Sequence, residues 1–182
     1  PILDAIIKDT EALVHTVVRA VSQSSSVKLG PRSIDVTPPW PRMSVREAMR
    51  VWARIELAGD ESAAELVAKV RLAGVGLADD TAWDDAFFTA FLAKVEPAIA
   101  ALAHPLILED WPAPLAALAR RKPTDPLTAL RFEAYVGGIE LGNAFSELTD
   151  PVEQRARFEN DLRIRRARGS AVYPIDEKLL AA

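Results

Sequence analysis

Two adjacent glycines at the centre of a β-rich stretch constrain this chain more than any other feature. The stretch runs from Arg131 to Pro151 and reads RFEAYVGGIELGNAFSELTDP. A two-residue hairpin turn requires positive φ angles, which glycine adopts without strain. Gly137 and Gly138 therefore predict an antiparallel hairpin in which Val136 pairs with Ile139.

The same register places acidic side chains on one face of the hairpin. It pairs Tyr135 with Glu140 and Glu133 with Gly142, so the two glutamates lie diagonally across the strands. Carboxylates so placed repel each other unless a cation lies between them, and magnesium is a cation that prefers oxygen ligands. Glu133 and Glu140 are thus a candidate magnesium site. A solvent-exposed strand face with scattered acids is the alternative.

Asn143 and Glu147 extend the candidate site along the second strand. They are four residues apart and share a face, but strict alternation from Glu140 places them on the opposite one. A β-bulge is required if all of these side chains serve one site. Gly142 is its expected position, because glycine tolerates bulge geometry and leaves the backbone open to a ligand.

The composition restricts the class of protein. With 182 residues, of which 49% are hydrophobic, the chain is long enough for one globular domain over residues 1–182. Its apolar runs are shorter than the ~18 residues of a membrane-spanning helix, so no membrane partner is expected. The absence of cysteine excludes disulfides and thiolate metal sites and is compatible with the cytoplasm. A net charge of −4 provides no global attraction to nucleic acid.

Hydrophobic periodicity predicts helices around a few short strands. The expected helices cover residues 4–22, 45–57, 60–72 with Asp60 as cap, 83–103 with an interruption at Pro97, 115–121, 151–169 capped by Asp150, and the residues after 176. The expected strands are an edge strand at 33–37, a buried strand at 105–109 and the hairpin. The apolar set Phe87, Phe88, Phe91, Leu92 and Val95 builds the helix at 83–103, and its aromatic residues are expected in the core. One α+β domain is indicated, without a phosphate loop, HExxH, GxSxG or GxGxxG motif.

A longer run, RFEAYVGGIELGNAFSELTDPVEQRARFE, resembles the late catalytic core of class II lysyl-tRNA synthetases and of the related GenX/PoxA ligases. The latter attach a lysine-type residue to elongation factor P. The resemblance extends through MSVREAM and DWPAPLAALARRKPTDP upstream and YPIDEKLLAA downstream. It implies part of a class II synthetase-like antiparallel sheet flanked by helices. It also implies ATP and magnesium as cofactors, lysine or β-lysine as substrate, and a homodimer for the full-length protein.

The resemblance also assigns roles to the four polar residues of the hairpin. Glu133 and Glu140 would hold the magnesium ions that bridge the ATP phosphates, Asn143 would help to fix lysine, and Glu147 would bind a lysine ammonium group. In this family the amino-acid carboxylate attacks the α-phosphate of ATP and pyrophosphate leaves. Positioning and charge stabilisation suffice for that step, so no side chain is assigned as a nucleophile.

Three functions follow from the resemblance. The tripeptide Ile139–Leu141, with FENDLRIRRARG and YPIDEKLL, favours the elongation factor P ligases, because the tRNA synthetases more often have a basic residue before the glutamate. A lysyl-tRNA synthetase that charges tRNA and a non-catalytic paralogue that serves as a binding module are the alternatives.

The resemblance begins after motif 2 and ends before motif 3 of the class, and motif 1 is missing. These 182 residues alone are therefore not expected to activate lysine.

Overall fold

The computed structural model describes residues 2–116 and 118–181, which form a five-stranded sheet covered on both faces and a smaller two-stranded sheet. The helices are α1 (Ile2–Ser22), α2 (Val45–Ala48), α3 (Ala63–Leu72), α4 (Trp83–Ala90), α5 (Glu96–Ala101), α6 (Pro151–Ala167) and α7 (Glu177–Leu180). The strands are β1 (Ser26–Leu29), β2 (Arg32–Asp35), β3 (Arg42–Ser44), β4 (Leu106–Pro112), β5 (Arg121–Lys122), β6 (Asp125–Val136) and β7 (Ile139–Phe145). The predicted α+β class is confirmed.

Strand β6 organises the larger sheet because it is long enough to pair with three others. β4 pairs antiparallel along one side of β6. On the other side, β5 pairs antiparallel with the first part of β6 and β7 with its second part. β3 joins β4 as the sheet's parallel pair. Within the described residues no strand pairs with the outer side of β7, so β7 is an edge of the sheet.

The two faces of this sheet bury separate hydrophobic cores. Because side chains alternate along a strand, Leu108 of β4 and Tyr135 of β6 face the helices α2 to α5. Ile107 of β4 and Phe132 of β6 lie on the opposite face and pack in one cluster with Ile7 of α1. Full burial of side chains of this size stabilises the fold by about 1.5–3 kcal/mol each. The helices thereby hold the first face of β6 and its partners in a fixed place.

The predicted turn is present, and it is packed against neighbouring elements. Gly137 and Gly138 have φ angles of +60° and +88°. A Cβ on Gly138 would lie 2.7 Å from Cβ and 2.9 Å from Cα of Ala100. Arg32 of β2 donates hydrogen bonds to the carbonyls of Ala100 and Gly137. Glycine is therefore needed at the turn both for its conformation and for the close approach of α5.

The helix around Pro97 is distorted just before the proline. α4 passes into a π-helical turn at Phe91–Val95, and α5 starts at Glu96 with Pro97 in its first turn. Proline has no N–H to donate, and its ring clashes with the carbonyl four residues earlier. In the wider π-helical turn the backbone does not need an N–H from Pro97. The helix therefore continues past the proline, where the sequence predicted an interruption.

The same helical path buries a narrower stripe than predicted. Phe87, Phe91 and Val95 are buried at a spacing of four residues, but Phe88 and Leu92 are 40% and 54% exposed. The exposed pair follows the buried stripe by one position, which corresponds to a rotation of about 100° around a helix. The prediction that Phe88 lies in the core was therefore wrong, and Leu92 of the same apolar set is exposed as well.

Two predicted helices differ from the structure at their ends. The helix predicted at 45–57 continues from α2 through a π-helical turn at Met49–Ala53 and stops at Arg54, whose φ is +59°. The helix predicted from Asp60 begins later, because Ser62 is the cap and forms a capping box with Glu65. The predicted cap at Asp150 is confirmed, since its side chain accepts from the N–H groups of Val152 and Glu153.

Strand pairing replaces the predicted local structure in two further segments. Residues 115–121, predicted as a helix, contain the end of a 3₁₀ turn at Ala113–Leu115 and the start of β5 at Arg121. Ala117 lies outside the described residues. The serine- and proline-rich connector holds β1 and β3 in addition to the single edge strand expected. β3 pairs with the distant strand β4, and such pairing overrides local propensity and leaves no local signal. β1 and β5 instead form short hairpins with the strands that follow them.

No helix in the described part of the chain combines the length and the hydrophobicity needed to cross a bilayer.

Glu61 fixes the loop that precedes α3. Its carboxylate accepts from the N–H groups of Ala58 and Gly59 and pairs with Lys69 at 2.7 Å. Burial raises the pKa of Glu61, but Lys69 and the two N–H groups outweigh this effect and lower the pKa to about 2. Because the folded-state pKa lies below the unfolded value, the stabilisation is present above pH ~4.5 and is lost as the pH falls towards 2.

Glu61→Gln is therefore expected to reduce the free energy of unfolding at pH 7 by up to about 3 kcal/mol, the equivalent of this lowered pKa. Urea unfolding at pH 7 and at pH 2–3 measures the effect, and the difference between variant and parent should shrink at the lower pH. Asp60→Asn is the matched control, because the carboxylate of Asp60 does not cap α3. A loss that is independent of pH would contradict the assignment.

Candidate functional site

The hairpin contains a β-bulge next to the predicted position. Tyr135 pairs with Glu140 as expected, and Ala134 pairs with Gly142, so Leu141 is the extra residue on β7. A bulge adds one residue to one strand and therefore changes the face on which the residues after it would otherwise lie. The structure places the bulge one residue before the expected glycine.

The bulge brings Glu133, Glu140 and Asn143 to one face of the sheet. Glu133 pairs with Asn143 instead of Gly142, which corrects the predicted register by one residue. Nδ2 of Asn143 donates to Oε1 of Glu133 at 3.2 Å. Glu140 is on the same face opposite Tyr135, and its charge acts on Glu133. Three of the four predicted side chains are thus neighbours.

Glu133 is the buried acid of this group. Its side chain is 5% exposed and accepts hydrogen bonds from Arg131 at 2.6 Å and from the Tyr135 hydroxyl at 2.5 Å. Burial raises the pKa of Glu133, repulsion from Glu140 adds to the rise, and Tyr135 and Arg131 oppose it. Burial and the Glu133 carboxylate also raise the pKa of Tyr135, which keeps its hydroxyl a hydrogen-bond donor.

The two carboxylates fit a magnesium ion that is shared with a ligand. Glu140 is exposed, and its repulsion of Glu133 is a cost that a cation between them would remove. The described residues contain no group of three or more histidine, cysteine, aspartate or glutamate side chains able to hold a metal. Magnesium sites commonly use one or two carboxylates and complete their shell with water and phosphate oxygens. Glu140 is the exposed donor for such a site, whereas both oxygens of Glu133 already accept hydrogen bonds, so phosphate oxygens and water would supply most of the shell.

Asn143 borders a shallow cavity of about 290 Å³ between β7 and the segment before β5. Most of its lining is apolar, with one amide and one guanidinium. The lining residues are Leu115, Ala116, Leu118, Ala119, Arg131, Asn143 and Phe145. Such a cavity suits an elongated ligand that has an aliphatic chain and polar ends.

Glu147 lies apart from the other three residues. It is exposed, follows the end of β7 and forms an isolated bridge with Ala119, which lines the cavity. Hydrogen bonds from Ser146 to Leu130 and from Leu148 to Leu118 hold the backbone on both sides of it. The structure therefore places Glu147 beside the cavity and away from the acidic pair.

Sequence reasoning missed Arg131, which lies two residues before Glu133 on the same face of β6. It donates to Glu133 and Asn143, and its guanidinium lies 4.3 Å from the ring centroid of Trp111. The available signal was an arginine and a glutamate at i and i+2 in a predicted strand, which share a face. Trp111 itself is buried against Phe87.

Comparisons with known proteins identify the family of this chain. The family model of class II tRNA synthetases (D, K and N) matches residues 3–171. The lysine–tRNA ligase of Dehalococcoides mccartyi is 39% identical over 175 residues, which cover 94% of this chain and 34% of that protein. Those of Pelotomaculum thermopropionicum and Moorella thermoacetica are 34% and 33% identical, over 95% and 94% of the chain. The chain spans about a third of the length of these relatives. It belongs to the class II tRNA synthetases of the D, K and N group.

Proposed function

We propose that this chain is part of an ATP-dependent ligase that activates lysine and transfers it to tRNA. The named relatives, all lysine–tRNA ligases, support the proposal, since each matches more than nine tenths of the chain. They favour the tRNA alternative over the elongation factor P ligase expected from Ile139–Leu141. Residues 1–182 would form one domain, a partial catalytic core, in a cytoplasmic homodimer.

The proposed ATP side of the site consists of Glu133 and Glu140. Both carboxylates lie on one face and repel each other, and only Glu140 is exposed. They would hold magnesium together with the ATP phosphates, and ATP would supply the adenylyl group that activates the lysine carboxylate as pyrophosphate leaves. Tyr135 and Arg131 keep the buried carboxylate of Glu133 in place through hydrogen bonds.

The proposed lysine side of the site consists of Asn143 and Glu147. The amide of Asn143 has a fixed orientation, because its oxygen accepts from Arg131 and its nitrogen donates to Glu133. A primary amide has a second N–H, which is available to a carboxylate ligand. The exposed carboxylate of Glu147 would pair with a lysine ammonium group in a charge-assisted hydrogen bond. The cavity between them would receive the aliphatic chain.

The observation that carries the proposal is the bulged hairpin, which places an acidic pair and an amide on one face beside an apolar cavity. This arrangement orients two substrates and leaves the chemistry to them, because the attacking group and the leaving group both belong to the substrates. Orientation alone can contribute several kcal/mol to such a reaction.

The test uses the full-length gene product. We expect lysine-dependent exchange between ATP and pyrophosphate, followed by transfer of labelled lysine to lysine-specific tRNA and not to elongation factor P. Transfer to elongation factor P alone would restore the branch that the tripeptide favours. Lysine or ATP binding without exchange would support the non-catalytic binding module. The 182-residue chain by itself is expected to show no exchange.

A further inference from the structure

Arg131 contacts both proposed halves of the site. Its Nη2 donates to Oε1 of Glu133 at 2.6 Å, and its Nε donates to Oδ1 of Asn143 at 3.2 Å. Its Nη1 donates to the carbonyl of Leu115, in the cavity wall, at 3.1 Å. One guanidinium therefore connects the acid on the ATP side with the amide on the lysine side.

The flat face of the Arg131 guanidinium lies against the ring of Trp111. The guanidinium stacks on Trp111 at 4.3 Å, and Trp111 is itself buried between Phe87 and Phe91. The Arg131 side chain is only 18% exposed. Three hydrogen bonds and a stacking contact leave this side chain few alternative rotamers, so the groups that accept from it are fixed as well.

We propose that Arg131 is a positioning residue that sets the orientation of Glu133 and Asn143 relative to each other, and thereby aligns ATP with lysine. The proposal rests on the proposed function and names a residue that controls both of its subsites. Without Arg131, the Asn143 amide loses the donor that orients its oxygen, and the Glu133 carboxylate loses its cationic partner. Tyr135 would then be the main group that holds Glu133.

Lysine cannot reproduce all of these contacts. A single ammonium group can pair with Glu133 as a point charge, but it lacks the planar fork that reaches Glu133, Asn143 and Leu115 together. It also stacks less well on Trp111. Arg131→Lys should therefore preserve the ATP side better than the lysine side, whereas Arg131→Gln should impair both.

The experiment compares full-length wild-type protein with Arg131→Gln and Arg131→Lys in lysine-dependent exchange. We expect the KM values for ATP and for lysine to rise about ten-fold or more in Arg131→Gln, the effect of losing a charged hydrogen bond. Arg131→Lys should recover much of the ATP effect and little of the lysine effect. Equilibrium binding of lysine without ATP or magnesium should weaken in parallel with the lysine KM.

The matched control is Arg120→Gln. Arg120 is exposed and its guanidinium donates to Thr149, outside the group around Glu133, so both KM values should stay at the wild-type level. A lower melting temperature of Arg131→Gln with unchanged KM values and lysine affinity would show a purely structural role and overturn the proposal. Absence of exchange in the wild-type protein would instead refute the proposed function, and the positioning role with it.

Discussion

Glu140→Gln in the full-length protein is expected to reduce kcat/KM for ATP in lysine-dependent exchange by about 100-fold or more. The glutamine keeps the size of the side chain but removes the exposed charge of the acidic pair. An amide oxygen is a weaker ligand for magnesium than a carboxylate, and loss of a group that stabilises the charge of the transition state costs about 3 kcal/mol or more. Initial rates at varied ATP and fixed lysine measure this effect.

Two further glutamine variants make this result specific. Glu147→Gln should raise the KM for lysine and leave the KM for ATP near the wild-type value, because Glu147 lies apart from the acidic pair. Glu159→Gln removes an exposed carboxylate from α6 and should change neither value. Wild-type ATP kinetics in Glu140→Gln would mean that the acids of the hairpin are only a solvent-exposed strand face.

Gly138→Ala is expected to cause the largest loss of stability, about 2–5 kcal/mol in the free energy of unfolding. The φ of +88° disfavours any residue with a Cβ, at a cost of about 1–2 kcal/mol. The new Cβ would also lie 2.9 Å from Cα of Ala100, a backbone atom that moves only with α5. Such overpacking costs about 1–3 kcal/mol more.

Chemical unfolding of Gly138→Ala and of Gly76→Ala tests this expectation. Gly76 is a matched control, because its φ is not positive and no atom lies within 4 Å of an added Cβ. The double variant Gly138→Ala with Ala100→Gly should recover part of the loss, since it removes the contact between the two Cβ atoms but not the backbone strain. A stability of Gly138→Ala equal to that of Gly76→Ala would contradict the packed turn.

Local chemistry accounts for the parts of the fold that the sequence predicts correctly. The turn at Gly137 requires residues that accept positive φ, and the cap at Asp150 requires a side chain that bonds the first N–H groups of α6. Both signals lie within a few residues of the structure they specify. β3 is a strand because β4, far along the chain, pairs with it, so its residues carry no comparable signal. β5 pairs with the strand that immediately follows it, and its two residues are too few to show a strand period.

The candidate site, like the fold, was predicted only where the signal is local in the sequence. Glu133, Glu140 and Asn143 were brought together by a bulge that their spacing required, although the pairing of Glu133 was off by one residue. The role of Arg131 was not predicted, because it depends on contacts with Trp111 and Leu115 that only the tertiary fold creates. The tripeptide Ile139–Leu141 alone favoured the elongation factor P ligases, whereas the named relatives, which match most of the chain, are lysine–tRNA ligases.

The open outer side of β7 has a consequence for work with the 182-residue chain in solution. Its outer N–H and C=O groups pair with no other strand among the described residues, and such groups can template pairing with another chain, a recognised cause of aggregation. Ile139 and Leu141 on this strand are half-exposed, and with Leu13 and Val17 of α1 they border an apolar groove of about 400 Å³. Poor solubility of the isolated chain would therefore arise from this edge and would say little about the stability of the hairpin turn.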